Sequence, residues 1–213
     1  MSWDPRDAGK RRGYHHGNLR EALIEAALRL IGEKGPAGFT FAEAARAAGV
    51  SPAAPYRHFR DREDLMAEVA KRGFEGFGGM LLKAWDEGRP DPRAALHRVG
   101  SAYLAFARNQ PATYVAMFES GIRTTDHPEL LAAAEGAFAV LRMATDAILA
   151  GIPAERRPPS LMVALHIWSL SHGIASLFAR GDDARRPLPM GPEELLEAAV
   201  LVYLDGLSVQ KSR

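Results

Sequence analysis

The stretch from Thr40 to Arg62, TFAEAARAAGVSPAAPYRHFRDR, constrains the fold most. Thr40 is a natural N-cap, and apolar residues then recur at helical spacing: Phe41, Ala44, Ala45 and Ala48. Gly49 favours the end of this helix, while Ser51 followed by Pro52 is typical of an N-cap and the first helical residue. Two short helices joined by a three-residue turn form a helix-turn-helix, whose second helix lies in the DNA major groove.

The second helix, predicted to begin at Pro52, carries the chemistry. Pro55 and Phe59 are four residues apart and share the inward face. Arg57 can bond guanine in pairs, alanines can touch thymine methyl groups, and Tyr56 and His58 can donate to phosphates. An ordinary polar helix face is the alternative, but the helix-turn-helix setting favours DNA contact. The predicted set is Thr40, Ser51, Pro52, Ala53, Ala54, Tyr56, Arg57, His58 and Arg62.

Arg62 stands at the start of the next helix, which Asp61 is expected to cap. A cation is disfavoured there by the helix dipole. A DNA phosphate would resolve the conflict, because it pairs with the guanidinium and with the free N–H groups of the helix end.

Residues 1–17 are interpreted as a basic arm. Lys10, Arg11 and Arg12 could follow the DNA backbone or enter a minor groove; a solvated tail is the alternative. The net charge of the chain is only +1, but residues 1–62 hold 11 Lys and Arg against 7 Asp and Glu. The remaining residues are net acidic, so positive charge is concentrated near the helix-turn-helix, as phosphate binding requires.

The segments GVSPAAPYRHFRDREDL and GYHHGNLREALIEAALRLIGEKG resemble the DNA-binding region of the TetR family of bacterial transcriptional repressors. Further along, HIWSLSHGIASLF resembles the Trp-His-Gly element of the ligand-binding domain in one branch of that family. The resemblance implies an all-helical homodimer that binds a palindromic operator and releases it when a small molecule enters the larger domain. It also assigns a DNA-backbone contact to Arg62.

The pattern beyond residue 62 predicts only helices. A long helix should run from about Arg62 into the 80s, with a bend near its glycines, and link the two domains. Later spans are expected at Pro92–Arg108, from Gln110 or Pro111 to Ser120, and at His127–Leu149, Pro159–Ala179 and Pro192–Leu207. The fold class is therefore all-α, with a three-helix DNA-binding domain at 18–62 and a larger ligand-binding and dimerisation domain at 63–213.

Aromatic residues and methionines in the larger domain suit an apolar or aromatic effector. Core packing is the alternative for each of them. His172 is the sharper case, because Trp168 and His172 share one helical face. The candidate pocket residues are Trp85, Tyr103, Phe106, Tyr114, Met117, Phe118, Phe138, Met143, Trp168 and His172.

A palindrome reader needs two recognition helices about one turn of DNA apart, ~34 Å, so a homodimer is expected. The last two helices carry apolar stripes with small residues that suit a four-helix interface. These stripes could instead face their own core. The candidate interface residues are Leu161, Ala164, Leu165, Ser171, Ala175, Phe178, Leu195, Ala199, Val202, Tyr203 and Gly206.

Other functional classes find little support. Cysteine is absent, and the adjacent His15 and His16 lack a third metal ligand. No catalytic motif, cofactor motif or membrane-spanning run is recognised, so we expect a cytoplasmic DNA-binding protein with no cofactor and no membrane partner. A helical adaptor that has lost DNA binding is the main alternative, and an enzyme is a more distant one.

Overall fold

The computed structural model describes residues 19–179 and 189–209. Within those residues the chain forms eight α-helices and no strand, so the predicted all-α class is confirmed. The helices are α1 (Leu19–Lys34), α2 (Phe41–Ala47), α3 (Arg62–Trp85), α4 (Pro92–Asn109), α5 (Pro111–Phe118), α6 (Pro128–Leu149), α7 (Ser160–Ala179) and α8 (Pro192–Val209).

Helix α2 begins at a complete capping box. The Glu43 amide donates to Oγ1 of Thr40 (3.2 Å), and the Thr40 amide donates to Oε2 of Glu43 (2.8 Å). Nζ of Lys34, at the end of α1, forms an ion pair with Oε1 of Glu43 at 2.9 Å. Hydrogen bonds from Lys34 and Thr40 lower the pKa of Glu43 to about 2. The start of α2 is therefore fixed to the end of α1.

The recognition segment differs from the expected α-helix. Ala54–Arg57 forms a single turn of 3-10 helix, here called the recognition turn. The Ala54 amide donates to the carbonyl of Ser51 and the His58 amide to that of Pro55. Pro55 has no N–H to donate to the carbonyl of Ser51, which accepts from Ala54 instead, so the α-helical hydrogen-bond ladder is interrupted here. The helix predicted from Pro52 was therefore wrong in type.

Two hydrophobic cores are present, and α3 contributes to both. Its first half places Leu65, Met66 and Val69 in the smaller core with α1 and α2. Its second half places Phe74, Phe77, Leu81 and Trp85 in the larger core with α4, α6 and α7. Leu82, also on α3, is 54% exposed.

Helix α5 is a second bridge between the cores. Ala116 is fully buried in the smaller core, and Ala112 and Val115 pack against it. Tyr114 and Met117, on the other face, are buried in the larger core. Helix α5, which is eight residues long, thus connects α1 to the larger core.

Helix α7 is long and apolar enough to cross a membrane by length and composition, with a mean hydropathy of 1.5 over Ser160–Phe178. Core helices pass the same test, and this one has Val163, Ala164 and Ile167 in the larger core.

Two glycines of α3 allow helices α5 and α6 to pack closely against it. A Cβ on Gly73 would lie 2.8 Å from side-chain atoms of Met117 and Thr113 in α5, and one on Gly78 would lie 3.2 Å from Cα of Ala137 in α6. The helix is continuous from Arg62 to Trp85. The glycines therefore serve close packing at these two crossings.

Gly73→Ala should lower the free energy of unfolding by about 1–3 kcal/mol, because the new methyl group overpacks the α3–α5 contact. Gly76→Ala is the matched control, since nothing lies within 4 Å of its Cβ position. That change should be neutral or stabilising by up to ~1 kcal/mol through helix propensity. Urea unfolding of both variants measures the difference, and equal effects would contradict the close-packing interpretation.

Candidate functional site

The recognition turn presents a compact polar surface. Tyr56 is 63% exposed, and Ala53, Arg57 and His58 are exposed beside it. Pro55 and Phe59 are buried beneath them. The segment thus holds its polar side chains out from the body of the protein.

The orientation of Tyr56 is set by α2. Its ring meets the ring of Phe41 edge to face, with centroids 5.1 Å apart. Phe41 is therefore a positioning residue for the phenol, a role that the sequence analysis did not assign because the spacing of Phe41 indicated only a core contact.

Arg62 faces its own chain in this structure. Its guanidinium donates to the carbonyl of Pro36 and lies 4.7 Å from the centre of the Phe39 ring. Nε is buried with no hydrogen-bond partner among the described residues. Arg62 thus fastens the loop that leads into α2, while its phosphate contact stays a prediction. Lys10, Arg11 and Arg12 lie outside the described residues.

A charged network joins α1, α3 and α6 at the boundary of the two cores. Its centre is Glu68, which is 9% exposed and lies 2.8 Å from Arg20 of α1, 3.0 Å from Lys71 and 2.8 Å from Arg72. Arg72 also reaches Glu21 of α1 (2.6 Å). Lys71 continues the network to Glu129 in the first turn of α6 (2.9 Å), while the Arg20 guanidinium lies 4.8 Å from the centre of the Phe59 ring.

The network determines the ionisation of Glu68. Burial by itself would raise the pKa of this carboxyl, but hydrogen bonds from Arg72 and Lys71 outweigh burial and lower it. The hydrogen bond from Arg72 also lowers the pKa of Glu21. The folded protein therefore holds both carboxylates in the charged form.

A cavity of about 810 Å³ occupies the larger domain. It lies among α3, α4, α6, α7 and α8, with Phe118 of α5 on its wall. Four of the ten candidate pocket residues line it: Tyr103, Phe118, Phe138 and Trp168. Most of the remaining wall is apolar, including Phe74, Phe77, Leu81, Leu96, Val99, Leu104, Ala137, Leu141, Ile167, Leu196, Val200 and Leu204.

The other six candidates do not line the cavity, because helical spacing could not separate a cavity wall from the core behind it. Trp85, Phe106, Tyr114 and Met117 are buried in the larger core, and Met143 is 39% exposed on α6. His172 lies directly behind the wall.

His172 is held in a polar cluster. The hydroxyl oxygens of Tyr103 and Tyr114 lie 3.0 and 2.8 Å from its Nδ1. Its ring stacks on Trp168, with centroids 5.3 Å apart. Burial lowers the pKa of His172 and raises that of Tyr103, so the cluster is uncharged near neutral pH.

Ion pairs hold α8 against α4 along the edge of the cavity. Arg93 pairs with Asp205 (2.8 Å) and Arg108 with Glu193 (2.7 Å). His97 lies 3.5 Å from Glu197. Leu196 packs 3.0 Å from the Cβ position of Gly100.

Helices α7 and α8 also share an exposed apolar face. Leu161, Leu165 and Val202 are 51%, 43% and 75% exposed, and Gly206 is exposed. Phe178, Leu195, Ala199 and Tyr203 are partly buried. Ala164, Ser171 and Ala175 are buried in the protomer itself. Met162, Leu177 and Leu201 are further exposed hydrophobic residues, which the apolar spacing did not predict.

No group of three or more potential metal-ligating side chains occurs among residues 19–179 and 189–209.

Two family models match the chain. Residues 23–69 match the bacterial regulatory proteins of the tetR family, and residues 96–203 match the tetracyclin repressor-like C-terminal domain.

Curated relatives include the HTH-type transcriptional regulator BetI of Rhizobium meliloti, which is 32% identical over 117 residues. That match covers 53% of this chain and 56% of BetI, so the chain spans about half the length of the curated relatives it matches. AcrR of Shigella flexneri is 31% identical over 80 residues, covering 38% of this chain and 37% of AcrR.

Among solved structures, a protein of unknown function from Rhodococcus sp. RHA1 is 28% identical, with a TM-score of 0.72 over 92% of this chain and 98% of its own. The TetR-family regulator PfmR of Thermus thermophilus shares the fold, with a TM-score of 0.64 and 22% identity over 90% of this chain and 99% of its own.

Glu68→Gln should destabilise the protein by about 2 kcal/mol at neutral pH, because it removes the buried anion that three partly exposed cations share. Folding lowers the pKa of Glu68. The carboxylate therefore stabilises the folded state above its unfolded pKa, and this stabilisation is lost as pH falls through its folded pKa. The difference between wild type and variant should therefore shrink in acid. Glu75→Gln, on an exposed position of α3, is the control, and unfolding curves across pH measure both.

A Glu68→Gln deficit that is unchanged in acid would contradict this account of the network.

Proposed function

We infer the function from family and geometry together: the chain belongs to the TetR family of bacterial regulatory proteins, and its exposed recognition turn suits the DNA major groove. We propose a cytoplasmic DNA-binding transcriptional regulator, acting as a dimeric repressor on a palindromic operator. A small, mostly apolar or aromatic effector would release it. We further propose that it belongs to the branch whose ligand-binding domain carries the Trp-His-Gly element.

The recognition turn is the observation that carries the proposal. Arg57 and His58 are exposed side by side, Tyr56 is held by Phe41, and the segment is anchored through buried Pro55 and Phe59. Arg57 offers the bidentate donor that reads guanine, and small side chains at Ala53 and Ala54 permit close approach. The shortness of the turn favours few base contacts, supplemented by DNA shape and by the arm at Lys10, Arg11 and Arg12.

Dimerisation would use the exposed apolar face of α7 and α8. Leu161, Leu165 and Val202 form its centre in our proposal, with Met162, Leu177 and Leu201 around them. An exposed apolar face of this kind on a folded protomer is typical of a protein–protein contact. Phe178, Leu195, Ala199, Tyr203 and Gly206 would lie at its margin.

The route from effector to DNA would run through the two bridging helices and the charged network. Helix α6 lines the cavity with Ala137 and Phe138 and is tied to α3 through Lys71 and Glu129. Glu68 and Arg20 continue the contact to Phe59, beside the recognition turn. A ligand that displaces α6 would thereby bias the position of the recognition turn.

The direct test is binding of the purified protein to the DNA upstream of its own gene, across a salt series, with random duplex as competitor. We expect competitor-resistant binding of two protomers or more per site, falling steeply as salt rises. Salt-independent binding, or binding no better than to random duplex at every regulatory region tried, would instead favour the helical adaptor.

Arg57→Ala should cost about 1–3 kcal/mol of operator affinity and relax specificity at one base position. Binding to random duplex should change little. Arg142→Ala, an exposed arginine on α6, is the matched control. Fluorescence anisotropy with operator and random DNA measures both, and equal losses on the two DNAs would refute base reading by Arg57.

Val202→Glu should dissociate the dimer without unfolding the protomer, because this side chain is 75% exposed. A charge buried at an apolar interface without a partner costs several kcal/mol. Leu82→Glu, at an exposed position of α3, is the control. Sedimentation velocity should show a monomer for the first variant and a dimer for the second; a dimeric Val202→Glu variant would place the interface elsewhere.

A further inference from the structure

We propose that the cavity selects an uncharged amphiphile, a long apolar molecule with one hydrogen-bonding group, and that the Tyr103 hydroxyl anchors this group. Carboxylate ligands of the same length would be rejected. The inference rests on the proposed function, because it names the class of effector that the regulator would respond to.

The buried part of the cavity wall offers polar contacts without charge, because the six charged or titratable wall residues are exposed or half-buried: Arg93, His97, Arg98, Glu135, Glu193 and Glu197. Ser101, Tyr103, Trp168 and Ser171 supply hydroxyl and indole groups between the apolar side chains. Ser171 donates to the carbonyl of Ile167 at 2.9 Å. A charged ligand group that moves from water into such surroundings loses its hydration and gains no opposite charge, a cost of several kcal/mol in general.

The two arginines on the described wall already bind acceptors of their own chain. Arg93 pairs with Asp205, and Arg98 donates to the carbonyl of Ala84 at 3.0 Å and to that of Arg89. These contacts hold α4 to α8 and to the end of α3. Because Arg93 and Arg98 already bind these acceptors, their attraction for a carboxylate ligand is weakened.

Tyr103 is suited to be the anchor because its hydroxyl group competes with that of Tyr114 for one acceptor. Both Tyr103 and Tyr114 lie within hydrogen-bonding distance of the single Nδ1 of His172, and a neutral imidazole accepts one proton there. Tyr114 is the closer of the two and fully buried behind the wall, whereas Tyr103 lines the cavity. Tyr114 and Trp168 also hydrogen-bond the Tyr103 hydroxyl, so an oxygen of the ligand would compete with Tyr114 and His172 for its proton while Tyr114 keeps His172 occupied.

The test uses four twelve-carbon probes: dodecanol and 1-chlorododecane below their solubility limits, and dodecanoate and dodecyltrimethylammonium below their critical micelle concentrations. Binding is measured by calorimetry at a pH where dodecanoate is ionised. We expect dodecanol to bind tightest and dodecanoate at least about 10-fold more weakly. This ranking needs only the wild-type protein.

Tyr103→Phe should lower the affinity for dodecanol about 3- to 10-fold and leave the affinity for 1-chlorododecane unchanged, because only the alcohol loses a hydrogen bond. Tyr203→Phe is the matched control: its hydroxyl bonds His166 (2.8 Å), and Tyr203 is absent from the described cavity wall. A thermal unfolding curve for each variant separates lost contact from lost fold.

Dodecanoate binding as tightly as dodecanol would overturn the inference, as would a preference for the ammonium probe, which would assign recognition to the rim carboxylates such as Glu135. Failure of all four probes to bind would also overturn it. Operator binding by the same protein sample is measured in parallel, so these failures are distinguishable from a failure of the proposed function.

Discussion

One helix packs into two hydrophobic cores at once, and the rest of the molecule is arranged around that constraint. Helix α3 anchors the recognition segment through Leu65 and Val69 and forms a wall of the cavity through Phe74 and Phe77. Where it passes from one core to the other, Glu68 binds three cations beside the apolar contacts of its neighbours. In our proposal this ionic network connects the two cores.

The helix pattern could be predicted from the sequence because its signals are local. Proline at the first position of α4, α5, α6 and α8 and the caps at Thr40, Asp61 and Asp91 each fix an end within one or two residues. The family resemblance and the division of charge along the chain indicated the DNA-binding end.

Features that depend on how helices meet could not be predicted. Pro52 and the helix-turn-helix pattern indicated a second α-helix, whereas Ala54–Arg57 forms a single 3-10 turn above the buried Phe59. Apolar periodicity identified the faces of α7 and α8 without telling inside from outside, so Ala164 and Ala175 were assigned to an interface although they are buried in the protomer. For the same reason the cavity wall could not be separated from the core that contains Tyr114 and Met117.

The central claim is that the cavity and the recognition turn are coupled through α3, α5 and the Glu68 network. Coupling between two sites is reciprocal, so DNA binding must change the region around the cavity. Hydrogen exchange of the full chain, free and bound to its operator, tests this directly. The account predicts altered exchange in α5 and α6 as well as in α2 and the recognition turn. Changes confined to residues 19–61, with α5 and α6 unaffected, would contradict it.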